Sequence, residues 1–293
     1  MAALDHPSDR ADGAGARLSR QLLVIVDPVA RRADGESVRI AKDVLCAGAT
    51  AKICLPEGPT EFAKALARRG ARRPVVIGDD RALLRAVSLL HRERELSGAV
   101  LSMVPVGGAV SLAHSLGIPA GTVAAARAAL DGTERRLDLL VDDSDGVVLG
   151  NLRIPPVAET AGETPGERDA ARPWLRTCRS LVRTLDPRPS RGAPADAGVP
   201  ARLRIEADGV TLVDLDQPLT GVSVGPATGT GLARVEVRHA SADGRAAPVC
   251  TQARTVTVSG ADFRYRADTV TIGGPVRRRT WTVRVGAWGL ALP

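Results

Sequence analysis

The sequence predicts a mixed α/β protein: a doubly wound, nucleotide-binding-like domain followed by an antiparallel β-sandwich or barrel domain. Three observations carry this reading. Short unbroken apolar runs alternate with helical stretches over the first half of the chain. A stretch rich in Pro, Gly, Ala, Thr and Glu divides the halves, and Val- and Thr-rich segments separated by turn residues fill the remainder.

Residues 1–19 are Asp, Gly, Ala and Arg with little apolar content and read as a disordered lead-in. Residues 20–150 form the α/β unit. Leu22-Leu23-Val24-Ile25-Val26, stopped by Asp27-Pro28, suits a strand buried on both faces of a parallel sheet. The pattern then repeats: helix 38–47, strand 50–55, helix 60–69, strand 74–77, helix 81–91, strand 100–104, and helix 110–116 ended by Gly117. Parallel neighbours need a helical crossover, and such sheets bind ligands at the carboxyl ends of their strands. The loops after Val26, Ile77 and Val104 are therefore the candidates. Residues 151–200 read as a linker carrying one helix, 174–185, with 188–200 mobile. Residues 201–293 form the β-rich domain, with strands at 201–207, 211–215, 221–224, 233–238, 255–258, 269–272 and 280–285.

With 293 residues, 44% hydrophobic and 25% charged, the chain can bury two cores, which excludes wholesale disorder. Aromatic residues are only 2%, so the core must be Val, Leu, Ile and Ala. The net charge is +7, nearly all from Arg, since Lys42, Lys52 and Lys64 are the lysines. So few aromatics argue against stacking-based nucleic-acid recognition, which leaves a phosphate-bearing small molecule or a lipid as partner and room for peripheral contact with an anionic membrane. Cys46, Cys54, Cys178 and Cys250 form no CxxC pair and read as small buried hydrophobes in a reducing compartment. Without a signal-peptide pattern or a long apolar run, the expected location is cytoplasmic.

The three loops are Asp27-Pro28-Val29-Ala30-Arg31-Arg32, Gly78-Asp79-Asp80-Arg81-Ala82 and Pro105-Val106-Gly107-Gly108-Ala109. Each leads toward a helix whose free N–H groups attract anions, and glycine lets backbone approach a phosphate. The same residues are also ordinary strand-to-helix turn formers. His6, His91, His114 and His239 have no metal-ligand spacing, so no metal site is assigned, and no G-x-S-x-G elbow is present. Arg277-Arg278-Arg279 fits either a lipid-headgroup cluster or a solvated turn, and the glycine-rich stretch 225–231 fits a long hairpin loop.

In order and context these loops resemble the diacylglycerol kinase catalytic domain family, with its bacterial lipid-kinase and sphingosine-kinase-like members. The family's strand and Asn-Pro turn is matched by Asp27-Pro28, its GGDGT signature by Gly78-Asp79-Asp80-Arg81-Ala82, and its P-x-G-T-x-N-D by Pro105-Val106-Gly107-Gly108-Ala109-Val110-Ser111. The family's L-G-I-P stands intact as Leu116-Gly117-Ile118-Pro119, and the resemblance covers residues 22–140. It implies a cleft between two domains, a final strand returning to the first domain, ATP and Mg²⁺ as cofactors if the protein is active, and a lipid hydroxyl as acceptor. It places Asp27, Gly78, Asp80, Gly107 and Gly108 at the nucleotide, and Asp243 of Asp243-Gly244 as the base. Asp-Gly is equally a hairpin turn signal. By the same resemblance the 225–231 stretch borders the lipid pocket.

The sequence also departs from the family pattern. Asp79, Arg81 and Ala82 replace the signature's second Gly, third Gly and Thr; Gly108 and Val110 replace Thr and Asn; Ala247 and Gly273-Gly274-Pro275 replace acidic positions of the second domain. Two functions follow: a lipid kinase with a degenerate active site, or a non-catalytic relative that keeps the cleft for a lipid or an anion.

Overall fold

The computed structural model describes residues 21–156, 200–240, 247–268 and 270–293. Four parallel strands, β1 (Gln21–Val26), β2 (Thr50–Cys54), β3 (Arg73–Gly78) and β4 (Val100–Pro105), lie in the order β4-β3-β1-β2. Leu22 to Val26 are all buried because both faces are covered, each such side chain contributing about 1.5–3 kcal/mol. The crossovers are α1 (Pro28–Ala33) with α2 (Gly35–Gly48), α3 (Pro59–Ala67), and α4 (Asp80–Arg92). The chain steps outward from β1 to β2, then reverses past β1 to β3. Right-handed crossovers therefore put α2 on one face and α3 and α4 on the other. After β4 come α5 (Ser111–Ser115) and α6 (Thr122–Asp131), and α6 packs on α2.

The rest is β structure: β5 (Thr133–Asp142), β6 (Val147–Val148), β7 (Leu152–Ile154), β8 (Ala201–Ala207), β9 (Val210–Val213), β10 (Pro218–Ala227), β11 (Leu232–His239), β12 (Val249–Ala253), β13 (Thr255–Ala267) and β14 (Val270–Leu292). β7 and β8 each pair with both β10 and β13, so the antiparallel strands close on themselves around a second core. β14 threads both cores. Its Trp281 meets Tyr265 edge-on in the second core at 5.2 Å between ring centroids, and its Trp288 and Leu290 are buried in the first. At its end Gly289 and Leu290 pair in parallel with Val100 and Leu101 of β4, joining all 14 strands into one hydrogen-bonded network.

Several expectations need correction. Residues 28–33 are helical, not loop, because Asp27 caps the helix and Pro28 occupies its first turn. Of the segments expected at 269–272 and 280–285, residues 270–272 and 280–285 belong to one strand, β14, and residue 269 lies outside the described residues. The cysteines are not buried hydrophobes: Cys46 and Cys250 are exposed free thiols and Cys54 is half-buried. Cys46 lies off the buried Val38, Ala41 and Leu45 stripe of α2, and Cys250 lies on β12 at one end of the strand order. The 1–19 lead-in, Cys178 and the expected helix 174–185 lie outside the described residues.

Candidate functional site

The order in which strands are added to the sheet reverses between β1 and β3, so the crevice above their carboxyl ends is the topological switch point where such sheets bind ligands. Asp27, Gly78 and Gly107 stand there together, at the ends of the neighbouring parallel strands β1, β3 and β4. Backbone bonds stitch the loops: Asp27 N donates to Ile77 O, Val106 N to Gly78 O, and Asp80 N to Ala109 O, each at 2.8 Å. A Cβ at Gly78 would stand 2.7 Å from the Ala82 Cβ and 3.0 Å from the Asp27 Cβ, so only glycine fits. Gly107 has φ 124°, a conformation glycine supplies. Gly108 borders open space.

The carboxylates of this cluster are engaged by the protein itself. Asp27 accepts from Val29 N at 3.0 Å and pairs with Arg85 at 2.8 Å, whose guanidinium lies over the Phe62 ring. Asp79 Oδ1 accepts from Arg81 N and Ala82 N at 3.1 Å, capping α4. Asp80 is fully buried, and its two oxygens accept from Leu112 N and Ala113 N at 2.9 Å, closing the start of α5. Burial raises the Asp80 pKa, and those two bonds oppose the rise.

Beside this cluster a cavity of about 480 Å³ lies where the two cores meet. Its floor is Asp268, which follows β13 with φ 49° and accepts from Leu149 N at 2.9 Å, Gly150 N at 2.7 Å and Asn151 N at 3.0 Å. Burial lifts this carboxyl to about 6 despite those bonds, and the Asp80 charge adds to the lift. A Cβ at Gly150 would stand 2.8 Å from the Leu112 Cδ1 and 3.0 Å from the Asp268 carboxylate, so a larger residue would have to displace both side chains. Ser111, Arg135 and Asn151 supply further polar lining, and Leu112, Leu116 and Leu137 an apolar side. The 228–231 turn joins β10 to β11, and Thr228 and Gly229 also border the cavity.

Asp243 lies outside the described residues. The arginine cluster is divided, with Arg277 on Asp262 and Arg279 on Asp143. Among the described residues no group of three His, Cys, Asp or Glu is placed to hold a metal, and no helix is long and apolar enough to cross a membrane. Sequence reading missed Asp268. Its one local signal is the alternation of Phe263 to Ala267, which puts the residue at a strand end.

No protein-family model and no curated protein matches this sequence. Solved structures do. The structure described as "a putative diacylglycerol kinase from Bacillus anthracis str. Sterne" superposes with TM-score 0.68 at 14% identity, over 94% of this chain and 97% of that one. Another structure of a diacylglycerol kinase from the same organism gives 0.64 at 13% identity with the same coverage. The chain has the fold of these diacylglycerol kinase structures over nearly its whole length.

Proposed function

We propose that this is a diacylglycerol-kinase-like protein that binds a small amphipathic molecule in the cavity between its cores without transferring phosphate from ATP. The Asp79 carboxylate at the start of α4 carries the reading. A helix N-terminus at a switch point is the natural seat of a nucleotide phosphate, and here two of its N–H groups already hold an anion. A phosphate 4 Å from that carboxylate meets about 1 kcal/mol of repulsion in water and about 4 kcal/mol at an effective dielectric of 20. Asp27 and Asp80 likewise accept from Arg85 and from Leu112 N, so donors at this edge are taken up by carboxylates already in place. The residues at this edge therefore do not fit Mg·ATP. The cavity offers what an amphipathic ligand needs: an apolar side, and the Asp268 carboxylate to accept a hydroxyl hydrogen.

The test is a thermal shift with Mg·ATP and with short-chain diacylglycerol, together with an ATP-consumption assay. Millimolar Mg·ATP should leave Tm unchanged, whereas the lipid should raise it. A ligand at 100 times its Kd stabilises by about 2.7 kcal/mol, an easily read shift. ATP consumption with a diacylglycerol or sphingoid base would overturn the proposal.

A further inference from the structure

The outward face of the antiparallel strands around the second core carries a feature independent of the function proposed above. Arg153 of β7 stands directly opposite Arg266 of β13, and Ser223 of β10 stands opposite Arg153 on its other side. Leu152 and Ile154 point into the core, so this row points outward. Directly opposed antiparallel residues have Cβ atoms about 4.5–5.5 Å apart. Neither arginine has an ion-pair or hydrogen-bond partner among the described residues, and the Arg266 Nε is buried without an acceptor. Other arginines of the same sheet do find carboxylates: Arg238 takes Glu236 at 2.8 Å and Arg204 takes Glu206 at 2.9 Å.

Two like charges placed opposite each other destabilise a sheet, and a buried unsatisfied N–H adds to the cost. An anion bound at this row would offset the charge opposition. Room exists on the β10 side of Arg153: the outward positions there are the small residues Gly221 and Ser223, a cavity of about 330 Å³ opens over them with Arg153 on its wall, and Arg266 stands across β7 from it. The one carboxylate on its wall, Glu236, is turned onto Arg238. A guanidinium presents planar, paired N–H donors that match phosphate oxygens, and a tetrahedral phosphoryl group can face two of them at once. We infer that Arg153 and Arg266, with the Ser223 hydroxyl, form a phosphoryl-anion site on the outer face of the β domain, for a phosphate ester that is either a lipid headgroup or a soluble metabolite.

The full chain should be titrated with inorganic phosphate by calorimetry and thermal shift, alongside Arg153→Gln, Arg266→Gln and the control Arg127→Gln, an exposed position of α6. Saturable binding at one site is expected, weakened about tenfold or more by either substitution in the row and unchanged in the control. Without anion, Arg153→Gln should melt about 1–3 °C higher than the parent because the charge opposition is gone, which separates lost binding from lost folding. Sedimentation with phosphatidic acid and phosphatidylcholine vesicles identifies the source. Arginine-dependent capture by phosphatidic acid alone points to a headgroup, and phosphate binding without capture points to a soluble ester. Equal phosphate affinity in parent and row variants, or equal weakening by Arg127→Gln, would overturn the site.

Discussion

At the switch point Asp27, Asp79 and Asp80 each accept the N–H groups that open a helix, whereas Asp268 accepts three N–H groups of an irregular loop and faces a cavity. The bonds are of the same kind; the surroundings differ. At the first place the carboxylates complete helix ends that would otherwise attract an anion, and the loops close over themselves. At the second the loop is satisfied while space remains beside the carboxylate. The loops of the first place are thus closed by the protein's own carboxylates, while the second keeps a cavity beside its carboxylate.

The largest effect should come from breaking the first group. Asp80→Ala would leave Leu112 N and Ala113 N buried without acceptors, since Asp80 has no exposure through which water could replace it. Two such orphaned donors cost about 2–5 kcal/mol together. Urea unfolding should show that loss, and a change below about 1 kcal/mol would mean that α5 finds another cap.

The second group differs in its response to pH. The Asp268 carboxyl titrates near 6 in the folded protein against an ordinary value of 3.8. The folded state therefore holds this proton to higher pH than the unfolded chain. Its contribution favours folding at pH 4 and is lost as pH rises to 6, by at most about 3 kcal/mol. Asp268→Asn cannot ionise, so its stability should be flatter between pH 4 and 6 than that of the parent. Identical pH profiles from urea titrations would show that Asp268 titrates in the folded protein as it does in the unfolded chain.

How much of this could be seen in the sequence depended on how local the cause was. The three loops were legible because each follows an apolar run that only a buried strand explains, and strands that alternate with helices put those loops on one edge. Helix α1 was hidden because Pro28 reads as a stop when it is a start, and α6 because its Ala-rich surface shows little periodic stripe. Strand β12 has polar Thr251 and Gln252, and it is held by pairing with β11. The role of Asp268 was beyond local reading, since its three N–H partners lie 117 to 119 residues upstream. The departures at Asp79 and Val110 were visible at once, but whether Asp79 faced a ligand or capped its own helix required the geometry.

The smallest stability change belongs to the substitution that most sharpens the comparison, Asp79→Gly. Asp79 is extended, with φ −92° and ψ −177°, so its backbone makes no demand for either residue. Exchanging an N-cap aspartate for glycine costs only a few tenths of a kcal/mol. It nevertheless frees Arg81 N and Ala82 N and removes a negative charge from the crevice. Restoring a threonine at position 82 is not part of the change, because Ala82 is fully buried against Gly78 and a larger side chain would not fit. With about 1–4 kcal/mol of repulsion removed, affinity for ADP or pyrophosphate should rise at least about fivefold, measured by calorimetry on parent and variant. Turnover should remain absent, since Gly108 and Val110 still leave the third loop without polar side chains, and groups that act as a unit are not restored one at a time. Unchanged ADP affinity in Asp79→Gly would show that the α4 start is not the obstacle to phosphate binding that the proposed function makes it.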